Sequence, residues 1–133
     1  MKLAVMQPYF FPYLGYWQLL EYVDRFVIYD DVNYRKGGWI NRNRILINGH
    51  GAYITVPLQG ASSNKRICDI QIGQDKRWRD KLLASIDNTY RKSGFFTDVF
   101  PVIEDVVRFE SDNLADFLFY QITRLSDFLH IET

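Results

Sequence analysis

LAVMQPYFFPYLGYWQLLEYVDRFVIYDD, residues 3–31, sets a short apolar run, a proline-rich turn, an amphipathic segment and a second apolar run one after another. Its first four residues are an apolar run that stops at Gln7-Pro8, as a buried strand does, because proline has no N–H to offer a neighbouring strand. Pro8, Pro12 and Gly15 then punctuate a loop. From Tyr16 the apolar positions fall at 16, 19, 20 and 23, the three-to-four spacing of a helix that buries one face. Phe26-Val27-Ile28-Tyr29 is β-branched and aromatic, reads as a second buried strand, and ends in Asp30-Asp31. Strand, helix and strand within about thirty residues predict a βαβ unit with parallel strands and a right-handed crossover.

Working outward, Asn33–Asn43 contains Gly37-Gly38, lacks a clean period and reads as a loop. Arg44–Ile47 and Ala52–Val56 flank Asn48-Gly49-His50-Gly51, residues that tolerate positive φ, and predict a β-hairpin. A short strand is expected over Ile67–Ile72, and Trp78, Leu82, Ile86 and Tyr90 line a helix that stops before Gly94. Pro101–Phe109 reads as a short helix with proline at its start. Ser111 or Asp112 can cap a last helix with an apolar stripe at Leu114, Phe117, Leu118, Ile122, Leu125, Phe128 and Leu129. The predicted class is α/β: a small, mostly parallel, Rossmann-like sheet with flanking helices and a β-hairpin insertion, in one domain over residues 1–133.

Composition agrees with one packed core. A chain of 133 residues with 47% apolar and 17% aromatic residues buries enough surface to fold and is far from the composition of disorder. Its apolar runs are too short to cross a bilayer, and the first residues lack the length and cleavage pattern of a signal peptide, so membrane insertion is not expected and a cytoplasmic location is. The single Cys68 cannot form an internal disulfide, and His50 and His130 lie too far apart for a zinc pattern, so no metal site of that kind is expected. Neither histidine nor Cys68 has an evident catalytic partner in the sequence.

Charge is more telling in its distribution than in its sum, which is zero. Between Val32 and Cys68 stand six bases (Arg35, Lys36, Arg42, Arg44, Lys65, Arg66) and no acid. From Asp98 onward, eight acids face only Arg108 and Arg124. The middle segment suits an anionic ligand; the alternatives are that it pairs with the acidic tail, in the same chain or in a second copy, or lies solvated.

Three segments could carry chemistry. The loop over Gln7, Pro12 and Gly15 to Tyr16 leaves the carboxyl end of the first strand, where ligands of open α/β sheets bind, and runs into a helix start that favours anions; stiffening of a turn is the plainer reading. Asp30 and Asp31 end the second strand, so one is expected in the same crevice, as a proton acceptor or as a ligand of Mg²⁺ beside substrate phosphates, and the other in a turn. The stretch RKGGWINRNR, residues 35–44, offers Arg35, Lys36 and Arg42 as phosphate partners, Trp39 as a stacking surface, and Asn41 and Asn43 as hydrogen-bonding amides. The sharp expectation is that all three segments line one hollow.

QPYFFPYLGY, FVIYDDV, KGGWINRNRI and YITVPL, in that order and spacing, resemble the WbqC-like family of bacterial proteins. Members are typically longer, so the chain is expected to correspond to an N-terminal portion or a short form. The family occurs in gene clusters for O-antigen and other surface polysaccharides. The resemblance implies a transferase of surface-polysaccharide synthesis that moves an aminoacyl (glycyl-like) or acyl group to a nucleotide-linked amino sugar. It carries over no catalytic residue; Asp30, Asp31 and Tyr16 are the candidate catalytic groups by their expected place at the cleft. Small-molecule partners would be a nucleotide or nucleotide-sugar. A binding module without chemistry, recognising a nucleotide-sugar or a tRNA end, is the competing class. A third reading is an adenylate-forming or nucleotidylyltransferase-like enzyme, by similarity of layout, although Tyr13 and Tyr16 stand where such enzymes carry histidines.

Overall fold

The computed structural model describes residues 1–133. The predicted βαβ unit is present: β1 (Leu3–Met6), α1 (Leu14–Tyr22) and β2 (Arg25–Ile28), with β1 and β2 parallel, Leu3 opposite Arg25 and Met6 opposite Ile28. Strand alternation turns Met6, Phe26 and Ile28 onto a small cluster of Tyr16, Leu20 and Ile122. Leu3, Val5, Val27 and Tyr29 are left exposed.

The sheet goes no further, which corrects the expected mostly parallel, Rossmann-like sheet. Three separate two-stranded sheets take its place, and only β1–β2 is parallel. The reason is topological. Another parallel strand needs another crossover, and here the three later helices follow one another with no strand between them.

The hairpin consists of β3 (Arg42–Ile47) and β4 (His50–Thr55), with Ile47 opposite His50. The turn is therefore Asn48-Gly49 alone, both left-handed at φ 52° and 78°, the conformation whose twist suits a two-residue hairpin. His50 and Gly51 belong to the strand rather than to the predicted turn. β5 (Leu58–Gln59) pairs with β6 (Gln71–Ile72), and the expected strand over Ile67–Ile72 begins as a 3₁₀ turn at Ile67–Asp69.

Helices α2 (Arg77–Tyr90), α3 (Phe96–Val107) and α4 (Leu114–Phe128) complete the chain. α3 starts earlier than its proline suggested, leaving Pro101 inside the helix. One backbone hydrogen bond is lost there, and in exchange Phe96, Val99, Phe100 and Ile103 come to one side of a shared apolar hollow. The cap of α4 is Asn113, whose side chain accepts from Asp116 N–H at 2.9 Å, in place of the expected Ser111 or Asp112. A main core of 16 buried residues joins the first loop, the hairpin, the 3₁₀ turn and all three later helices. Arg79 lies in its wall, donating to the Val107 and Phe109 carbonyls at the end of α3. No helix is long and apolar enough to cross a membrane.

Candidate functional site

The loop between β1 and α1 is held from three directions. The Tyr16 hydroxyl donates to the Gln7 carbonyl (3.0 Å) and the Trp17 indole N–H to the Pro12 carbonyl (2.9 Å). From α4, Gln121 is fully buried; its amide donates to the Tyr9 carbonyl (2.9 Å) and accepts from Phe11 N–H (2.7 Å). From β3, the Asn43 amide donates to the Phe10 and Phe11 carbonyls at 3.2 and 2.6 Å. Between these two amides Phe11 is held at φ 45°, a left-handed conformation that costs a bulky side chain about 1 to 2 kcal/mol. Phe10 N–H donates to the Trp39 carbonyl, which ties the loop to the basic segment.

The basic segment is built from inside as well. Tyr34 donates its hydroxyl to Asn41 (2.8 Å), whose amide donates to the Val56 carbonyl (3.0 Å); both side chains are buried, and burial pushes the Tyr34 hydroxyl up against the opposing pull of Arg42. The Arg42 guanidinium donates to the Gly37 and Gly38 carbonyls and stacks over Tyr53, 4.3 Å from the ring centroid; Gly37, at φ 79°, makes the turn that brings those carbonyls round. The Arg44 guanidinium also lies near this ring, 5.7 Å from its centroid. Six ion pairs form in the chain, and none uses Arg35, Lys36, Arg42 or Arg44. The acidic tail therefore leaves this segment unneutralised within the chain.

Two hollows meet at Asn43. One, of about 260 Å³, is lined by Tyr9, Pro12, Tyr13, Trp39 and Asn43. Gly15 lies against the Tyr13 ring of its wall, where an added β-carbon would fall 2.7 Å from that ring and displace it. The other, of about 340 Å³, is mostly apolar and lies between the inner face of the hairpin and α3, with Phe11 and Ile54 in its wall.

The sequence pattern of the WbqC-like protein family matches residues 7–133. This chain belongs to the WbqC-like protein family. An uncharacterised protein of Mycobacterium tuberculosis is 47% identical over 58 residues, which make up 44% of this chain and 25% of that protein, so the aligned segment spans a quarter of the relative's length. No solved structure matches the chain.

The residues singled out in this WbqC-like sequence fall in different places. Pro12, Trp39 and Asn43 line the smaller hollow, with Gly15 behind it. Tyr16, Asn41 and Arg42 hold backbone in place with their side chains, and Gln7 offers its carbonyl to Tyr16. Tyr16 has no exposed surface, and burial, helped by Tyr9 and Tyr13, raises its hydroxyl far above the ordinary value, so it stays protonated and acts from within. Arg35, Lys36 and Arg44 are exposed. The expectation of one shared hollow is not met. Asp30 lines a different one, between β2 and α4, and none of the five principal hollows holds both an aspartate of the pair and a cation of the 35–44 segment. The physical reason is that residues 30–34 do not turn toward the first loop. They run beside residues 65–68, with the Asp30 and Val32 carbonyls accepting from Cys68 and Ile67 N–H. No group of three or more His, Cys, Asp or Glu side chains that could hold a metal forms around Asp30 and Asp31, for which a Mg²⁺ ligand was one of the alternatives, or elsewhere.

Sequence reasoning missed Gln121, Phe11 and Tyr53. Gln121 was detectable as the polar interruption in the apolar stripe of α4, flanked by Leu118 and Ile122. Phe11 carried no such signal, because its strain arises from two distant amides.

Proposed function

We propose that this chain, acting in the cytoplasm, binds a nucleotide-linked amino sugar on its loop-and-hairpin face and serves the transfer of an acyl or aminoacyl group to it. The observation that carries the reading is the aromatic hollow at Trp39 bordered by a basic segment with no carboxylate partner. Tyr9, Tyr13 and Trp39 supply flat surfaces for a base or sugar ring, and Arg35 and Lys36 supply charge for its phosphates. Tyr13 is also the uncapped N-cap of α1, so free backbone N–H groups border the same hollow. The apolar hollow beyond Asn43 is the right kind of place for an acyl group, so the arrangement favours holding two reactants side by side, which is itself a large part of transfer catalysis.

One observation favours the second reading, a binding module without turnover. No carboxylate or histidine lines either hollow, so no side chain there takes the proton that an acylated amine releases. Nucleotidyl transfer is less well supported than either, because Tyr16, at one of the positions that carry histidine in such enzymes, gives its hydroxyl to the Gln7 carbonyl.

Calorimetric titration with UDP and UDP-glucosamine tests the binding claim. The wild-type chain should bind both, and Trp39→Ala and the double change Arg35→Ala, Lys36→Ala should each weaken binding by about tenfold or more, the worth of one stacking or charge-assisted contact. Equal affinity in all three proteins, or no binding by the wild type, would remove this face from the reading. Consumption of an acyl donor with UDP-glucosamine separates the enzyme from the module.

A further inference from the structure

We propose that the free edge of β2, with the groove between it and α4, takes up an extended basic peptide segment as an added strand. β2 has a partner on one side only. Arg25 and Tyr29 donate their N–H groups to the Lys2 and Met6 carbonyls of the β1 side. Alternation along a strand therefore turns the N–H and C=O groups of Phe26 and Ile28 to the opposite edge, which no strand covers; the open stretch ends at Asp30, whose carbonyl already accepts from Cys68 N–H. Unpaired ladder groups of this kind are a template for another extended backbone.

Beside that edge lies a hollow of about 540 Å³, lined from β2 by Phe26 and Ile28 and from α4 by Ile122 and its neighbours. Leu20, Phe26, Ile28 and Ile122 provide an apolar floor, and Asp30, Asp116 and Asp127 are the charged groups that line it. None of the six ion pairs involves these three carboxylates. Asp127 is unfavourably placed for the helix alone, since an acid in the last turn opposes the helix dipole, and no base in that turn offsets it. Edge, floor and charge together specify the occupant: a backbone able to complete the ladder, apolar side chains to cover the floor, and lysines or arginines to meet the carboxylates. A small amine would use the charge and leave the ladder idle.

The test is fluorescence anisotropy of a labelled, capped peptide, Lys-Val-Lys-Val-Lys-Val, titrated with the full chain. Binding is expected that weakens with salt, falls about tenfold or more when alternate backbone nitrogens are methylated, and is absent for the Glu-Val counterpart. The double change Asp30→Asn, Asp127→Asn should weaken binding while Trp39→Ala should not. Equal binding of the methylated peptide would mean attraction without strand addition and would overturn the proposal, as would failure of the parent peptide to bind. Sedimentation showing self-association abolished by the same aspartate changes would assign the edge to a second copy and overturn it too.

Discussion

The hairpin β3–β4 and the parallel pair β1–β2 each consist of two strands, yet they are held together in opposite ways. The hairpin closes through two residues, Asn48-Gly49, and its register over six residue pairs follows from that turn. The parallel pair is joined through a helix and stands on a cluster of three buried residues, one of them, Ile122, contributed by the last helix. The loop leaving it is hooked by Gln121, 110 positions away from Phe11. Local chemistry makes the first and distant packing makes the second. The two also part by charge, with unpaired cations on the hairpin side and unpaired carboxylates beside the parallel pair. The binding surfaces inferred for them have opposite sign for that reason.

The largest break in this comparison should come from Gln121→Ala. It strands the Tyr9 carbonyl and Phe11 N–H inside the protein, and the expected loss is about 2 to 4 kcal/mol of unfolding free energy in urea. Native-state hydrogen exchange should show β1 and β2 losing protection first while β3 and β4 keep theirs. Equal loss in the hairpin would show that it depends on α4 as much as the parallel pair does.

Gly49→Ala probes the other side with a smaller effect. Nothing lies within 4 Å of the added β-carbon, so only the cost of holding alanine at φ 78° remains, about 1 kcal/mol. Protection should fall in β3 and β4 and stay unchanged in β1 and β2. A uniform fall would mean that the turn is tied into global unfolding.

The smallest effect should touch neither sheet in particular. Arg77 holds the Asp75 carboxyl down to about 2, and Arg91 lowers Asp87. A carboxyl lowered on folding stabilises the protein above its ordinary value of 3.8 and loses that contribution as pH falls through the folded value. Asp75→Asn should therefore flatten the decline of melting temperature between about pH 4 and about pH 2, and only slightly, because both partners are exposed. An unchanged acid profile would show the pair to be without weight in stability.

Read residue by residue, the sequence alone determined whatever depends on near neighbours. The strand–helix–strand order over residues 3–31, the Asn48-Gly49 hairpin, the α2 stripe and the unbroken run of cations from Arg35 to Arg66 all follow from spacing, propensity or charge within a few residues. Trp39, Pro12 and Asn43, which line one hollow, were legible as candidates for the same reason, since aromatic, proline and amide side chains stand out beside glycines and bases. Only the tertiary structure decided how these pieces meet: that Asp30 faces α4 instead of the cations, that Phe11 is strained between Asn43 and Gln121, that Pro101 sits within a helix, and that the parallel sheet stops at two strands. Those outcomes depend on contacts between residues tens of positions apart, where the balance of packing and hydrogen bonding is struck by the whole chain and no local pattern carries it.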